Sequence, residues 1–196
     1  MYLSRADVDE STAESTSTAT SELMELVNGI RQVVNRHPDW ETTARLVAGE
    51  LERHLPSAAI LSSEQRRGDP ARYQTHVLHI ERDGSFSVLA LVWRPGQLTP
   101  IHDHVTWCVF GVIQGVEHEE LYQLDVAGDF LAESGSSTNH TGEVAGFAPP
   151  GDIHRVRNPG PGTAISIHVY GTDIFRVGSS IRREYHQPIR PAQLAA

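Results

Sequence analysis

The sequence predicts an all-β core, an antiparallel sandwich or barrel, with two N-terminal α-helices packed on it. Two observations carry this. Apolar residues recur at three- and four-residue steps between Thr20 and Leu55, and after Pro70 the chain breaks into many short β-rich runs, each ended by Gly or Pro. Residues 1–18 are rich in Ser, Thr, Asp and Glu and too poor in apolar groups to offset ordering entropy, which predicts a disordered tail. The helical extension spans 19–62. Its first helix carries Leu23, Leu26, Val27, Ile30, Val33 and Val34 on one face, with Thr20 or Ser21 as cap and His37-Pro38 as stop. Its second follows Asp39, presents Leu46, Val47, Leu51 and Leu55, and ends at Pro56. Strands are expected at His76–Ile80 and Phe86–Trp93, joined by a charged turn, then at Trp107–Ile113, Glu119–Leu124, Val144–Phe147 and Ala164–Tyr170. The β domain is placed at 70–185. Residues 186–196, with Pro188 and Pro191, read as a C-terminal surface tail.

Charge and composition exclude several function classes. The 196-residue chain carries 16 Lys plus Arg against 25 Asp plus Glu, a formal net charge of −9. It therefore lacks the electrostatic footprint of a nucleic-acid binder and the basic stretch that holds an anionic membrane surface. No apolar run approaches a membrane span, and the N-terminus has no apolar leader core, so a cytoplasmic protein is expected. A single cysteine, Cys108, rules out an intrachain disulfide and a zinc site of four cysteines. The unusual count is 11 histidines.

Two segments concentrate the chemistry. In the first, His102 and His104 stand at i and i+2, so a strand projects them side by side. In the second, Pro149-Pro-Gly151-Asp-Ile-His154 can offer a third imidazole from a facing strand. A lone H-x-H pair is usually two surface residues. Here turn residues frame the histidines: Gly96, Gly115, and Pro149-x-Gly151. Three neutral imidazoles with open coordination positions make a catalytic metal site rather than a closed structural one. Imidazoles by themselves suit Zn, Cu and Ni as well as Fe. Ser166, His168 and Tyr170 alternate along one later strand, which fits either a polar outer face or an inward hydrogen-bond relay. The remaining histidines, such as His76 and His118, follow no ligand spacing and read as surface or packing residues.

These segments resemble the two cupin motifs, G-x5-H-x-H-x3,4-E-x6-G and G-x5-P-x-G-x2-H-x3-N, through Gly96, His102, His104 and Gly115, then Pro149, Gly151, His154 and Asn158. Cys108 stands where the first motif has Glu, and Glu143 where the second opens on Gly. Loss of that Glu leaves three histidines and points to the thiol dioxygenases of the cysteine dioxygenase type, which are similar in carrying a Ser-x-His-x-Tyr relay. The resemblance covers roughly residues 70–185. It implies a cupin-type β-barrel (a double-stranded β-helix) and Fe(II) held by His102, His104 and His154. The relay of Ser166, His168 and Tyr170 would act beside the metal. The reaction implied adds both atoms of O2 to the sulfur of a small thiol carboxylate, 3-mercaptopropionate or L-cysteine, giving a sulfinic acid.

Eukaryotic relatives join a cysteine near position 108 to the relay tyrosine. Cys108 is therefore either a thioether partner of Tyr170 or a small buried filler. The substrate carboxylate implies an arginine: Arg182 or Arg183 after the relay, as in the mercaptopropionate branch, or Arg72, close to but offset from the early-strand position of the cysteine branch, which falls at Thr75 to His76. Other cupin metal enzymes, isomerases or carbon dioxygenases, and a non-catalytic small-ligand binder are the alternatives. A homo-oligomer stays open.

Overall fold

The computed structural model describes residues 5–190, with side chains from Ser15 onward. Four helices and eleven strands follow in chain order: α1 (Arg5–Val34), α2 (Trp40–Arg53), α3 (Ser63–Arg67), β1 (Gln74–Ile80), β2 (Ser87–Trp93), β3 (Ile101–His104), β4 (Cys108–Gln114), β5 (Val116–Leu124), β6 (Leu131–His140), β7 (Val144–Phe147), β8 (His154–Arg157), β9 (Ala164–Tyr170), α4 (Ile174–Val177), β10 (Ile181–Tyr185) and β11 (Ile189–Arg190). Two sheets form the core, in the orders β1-β2-β9-β4-β7 and β10-β3-β8-β5-β6-β11. Every pairing is antiparallel except β11 on β6.

Alternation along two strands decides what lies where. All seven residues of β2 and all seven of β9 are buried. Val88, Ala90 and Val92 of β2, with Ile165, Ile167 and Val169 of β9, join Leu26, Ile30, Val47 and Leu51 of the helices in one apolar layer. The intervening Leu89, Leu91, Trp93 and Tyr170 join Cys108 and Val156 on the barrel interior. Sheets covered on both faces read as continuous apolar runs, which is why β2 has no polar alternation. The helices thus seal one sheet from outside and leave its other face free to line a cavity. Gly111 of β4 permits the approach of α2, because a Cβ there would lie 2.8 Å from Leu55 Cδ1. Asp39 caps α2, accepting from the Thr42 amide at 2.8 Å.

Two expectations are corrected. The first helix begins at Arg5, not at a cap near Thr20, so residues 5–18 are helical rather than a disordered tail. Docking starts at the fully buried Ala19, and once that turn is nucleated each further residue adds one backbone bond at little cost. Residues 1–4 lie outside the described residues. At the other end, Ile189 and Arg190 of the expected surface tail pair with Leu131 and Ala132 of β6, while 191–196 lie outside the described residues. β6 is a strand that no sequence pattern announces. Its sequence, LAESGSSTNH, is mostly exposed and carries no apolar alternation. It is a strand because β5 supplies a continuous partner from Val116 to Leu124.

Candidate metal centre

His102 and His104 leave β3 on the same face, and His154 opens β8 directly opposite His102. All three are buried, and their ligand nitrogens lie within 4.8 Å of one another. The ring centroids are 4.6–4.9 Å apart. Each Nδ1 is occupied: His102 by the Pro100 carbonyl at 2.9 Å, His104 by Asp152 Oδ2 at 3.1 Å, His154 by Glu119 Oε1 at 2.5 Å. A hydrogen bond at Nδ1 places the proton there and leaves Nε2 as a lone-pair donor. His154 Nε2 is buried with no partner among the described residues, an orphan that a metal ion would satisfy.

The electrostatics agree. Burial, then the neighbouring His154 and His104, hold His102 down to about 3. Burial likewise lowers His104, against the opposing pull of Asp152. Both shifts favour the neutral imidazole at His102 and His104, the form a metal ligand takes. Burial would raise Asp152, yet hydrogen bonds from the ring and amide of His104 hold it below the usual carboxylate range. No carboxylate belongs to the three-residue cluster; Asp152 and Glu119 stand behind it.

The expected relay faces inward. Ser166 Oγ lies 2.9 Å from His168 Nε2, and His168 Nδ1 lies 3.3 Å from Tyr170 Oη. Trp93 Nε1 donates to Ser166 Oγ at 3.3 Å. The Tyr170 ring stacks 6.0 Å from His104, so the relay ends beside the histidine cluster. Burial pushes Tyr170 well above its ordinary value and holds His168 down to about 3. Cys108 is the register partner of Tyr170 across β4 and β9, and both line the same cavity. Burial raises the Cys108 thiol, so it is a protonated thiol near neutrality.

That cavity, about 240 Å³, is walled by Leu89, Leu91, Phe147, Val156 and Ile174 around the histidines and the relay. None of the three arginines lines it. Arg182 is turned onto Asp103, with Nε 3.1 Å from Oδ2, and Tyr185 donates to the same oxygen. Arg183 lies over the Tyr185 ring at 4.6 Å, and Arg72 lines a separate surface cleft. Arg182 and Arg183 both stand on β10, an edge strand exposed along Arg182, Arg183 and Glu184, where Asp103 holds the one and the Tyr185 ring the other. Tyr73, Thr75 and Ser180 supply hydroxyls to the cavity instead. Sequence reasoning also missed Asp152 and Glu119. Asp152 stands two residues before His154, a readable signal, whereas Glu119 has none beyond facing β8.

An inward-facing cluster of three histidines in a two-sheet β-barrel, each oriented by an acceptor at Nδ1, defines a cupin with a centre able to hold a metal. The family model for cysteine dioxygenase type I matches residues 12–176, and the chain belongs to that family. Solved structures similar to it include oxalate oxidase in complex with glycolate, 19% identical with a TM-score of 0.44, covering 58% of this chain and 60% of that one. A cupin_2 domain of an XRE family transcriptional regulator from Enterobacter cloacae is 18% identical with a TM-score of 0.37, covering 50% of this chain and 93% of that one. A protein with a double-stranded β-helix domain from Klebsiella pneumoniae is 22% identical with a TM-score of 0.41, covering 58% and 89%. No helix among the described residues is long and apolar enough to cross a membrane.

Proposed function

We propose that this protein is a cytoplasmic non-haem iron thiol dioxygenase of sulfur metabolism. It adds both atoms of O2 to the sulfur of a small thiol carboxylate, 3-mercaptopropionate or L-cysteine, to give a sulfinic acid. The observation that carries this reading is the pairing of a buried cluster of three histidines with the inward Ser166–His168–Tyr170 relay, in a chain of the cysteine dioxygenase type I family. His102, His104 and His154 would hold Fe(II) through Nε2 and leave open positions. When bound, the ion supplies a dicationic centre that favours the thiolate form of the substrate and reacts with O2.

The chain's own residues do the rest. Leu89, Leu91, Phe147 and Val156 keep water from the sulfur. Tyr170, held protonated by burial, can give a hydrogen bond into the cavity. His168 and Ser166 fix its orientation. Ser180, Thr75 and Tyr73 offer hydroxyls to the substrate carboxylate. The test loads the full chain with Fe(II) and follows O2 uptake with 3-mercaptopropionate, L-cysteine and a thiol lacking a carboxylate. Labelled O2 should place both atoms in a sulfinate. Thiol-independent O2 uptake, or one labelled atom, overturns the reading.

A further inference from the structure

Glu117 of β5 is 0% exposed, and neither carboxyl oxygen has a hydrogen-bond partner among the described residues. The groups acting on it are Ser166 of β9, Trp93 of β2 and Glu119 two residues along its own strand, with no cation among them. Asn139 of β6 stands opposite it in register. An ionised carboxylate in such a place is costly; a neutral carboxylic acid is not, provided that its O–H finds an acceptor. Glu117 shares its buried strand face with Glu119, which reaches His154, and the hydroxyl among the groups acting on it is Ser166, the first member of the relay.

We propose that Glu117 is a positioning residue: as a neutral acid it donates to Ser166 and sets the direction of every hydrogen bond from there to Tyr170. Ser166 Oγ has one hydrogen and two lone pairs, and the Trp93 indole N–H takes one lone pair. When Glu117 donates to the other, Ser166 has only its O–H left, and it must donate to His168 Nε2. The proton of the neutral imidazole then sits on Nδ1 and points to Tyr170 Oη. Tyr170 keeps its own O–H free for the cavity. When Glu117 is ionised it accepts instead. Ser166 turns its O–H to the carboxylate, His168 places its proton on Nε2, and Nδ1 takes the Tyr170 O–H. The same heavy-atom positions thus hold two relays of opposite polarity, and only the first makes Tyr170 a donor to the site. That catalytic meaning rests on the proposed function; the polarity does not.

Burial, against weaker lowering by Ser166, carries the Glu117 carboxyl up to about 7, so both polarities are reachable near neutrality. The test is 15N NMR of histidine-labelled full chain loaded with diamagnetic Zn(II), with His168 assigned from a His168→Asn spectrum. Spectra are compared at about pH 6 and about pH 8.5, on either side of that value of about 7. The wild-type ring should carry its proton on Nδ1 at the lower pH and on Nε2 at the higher. Glu117→Gln, which cannot ionise, should hold one tautomer at both. A wild-type ring that keeps one tautomer, a low-pH ring protonated at Nε2, or a Gln variant that tracks the wild type overturns the proposal. Failure of the iron-loaded protein to oxidise thiols would overturn the functional reading and leave this result standing.

Discussion

At the scale of single residues, the centre depends on acceptors the ligands lean on. His104 and His154 each give Nδ1–H to a carboxylate, Asp152 and Glu119. Such partners fix the ring and raise its basicity, and losing one typically costs about 10–100-fold in metal affinity. Asp152→Asn and Glu119→Gln should therefore bind Fe(II) about 10–100-fold more weakly in a chelator competition while remaining folded. His154→Ala should retain almost no metal by elemental analysis, because the orphaned Nε2 is then gone. Ser180 gives a different signature. It lines the cavity, so Ser180→Ala should raise the KM for a thiol carboxylate by about tenfold, one hydrogen bond of roughly 1–1.5 kcal/mol, with metal content unchanged.

At the scale of elements, β10 is held to β3 by antiparallel pairing and by one buried carboxylate. Asp103 is 1% exposed and receives Arg182 and Tyr185. Arg182→Ala leaves it with the tyrosine alone, a loss of about 1–3 kcal/mol. Arg183→Ala removes a ring contact on an exposed face and should cost about 0.5 kcal/mol. Thermal unfolding should separate the two by several degrees; equal Tm values would show that Asp103 does not anchor the strand. The turn after β9 is packed more tightly. A Cβ on Gly171 would overlap the Trp107 indole and the Thr106 hydroxyl. Gly171→Ala should therefore destabilise by about 1–3 kcal/mol, with loss of the Trp107 near-UV dichroism.

At the scale of the whole molecule, Glu117 links stability to pH. Its carboxyl titrates at about 7 in the folded chain against 4.5 unfolded, so the folded state binds the proton more tightly. Stability is then full below about 4.5 and falls as pH rises through about 7. Between pH 5 and pH 8, wild type should lose roughly 2–3 kcal/mol that Glu117→Gln retains, measured by denaturant unfolding of both. The sequence alone determined much of this protein. Short β-rich runs ended by Gly or Pro placed β2, β4 and β9, three- and four-residue steps placed both helix faces, and Gly- and Pro-framed histidines placed the histidine cluster, because each is a local pattern with a fixed geometric meaning. The start of α1 and the strand β6 were not legible, since Ser-, Thr- and Glu-rich stretches take their structure from a docked neighbour rather than from their own burial. Nor was the fate of Arg182, a long side chain whose direction is set by Asp103 across two strands. Glu117 shows the same limit from the other side: in the chain it is one acid among 25, and only the closing of the two sheets buries it against Ser166. Local pattern fixes which face a residue takes; what waits on that face belongs to the tertiary structure, because the partners come from strands far apart in the chain.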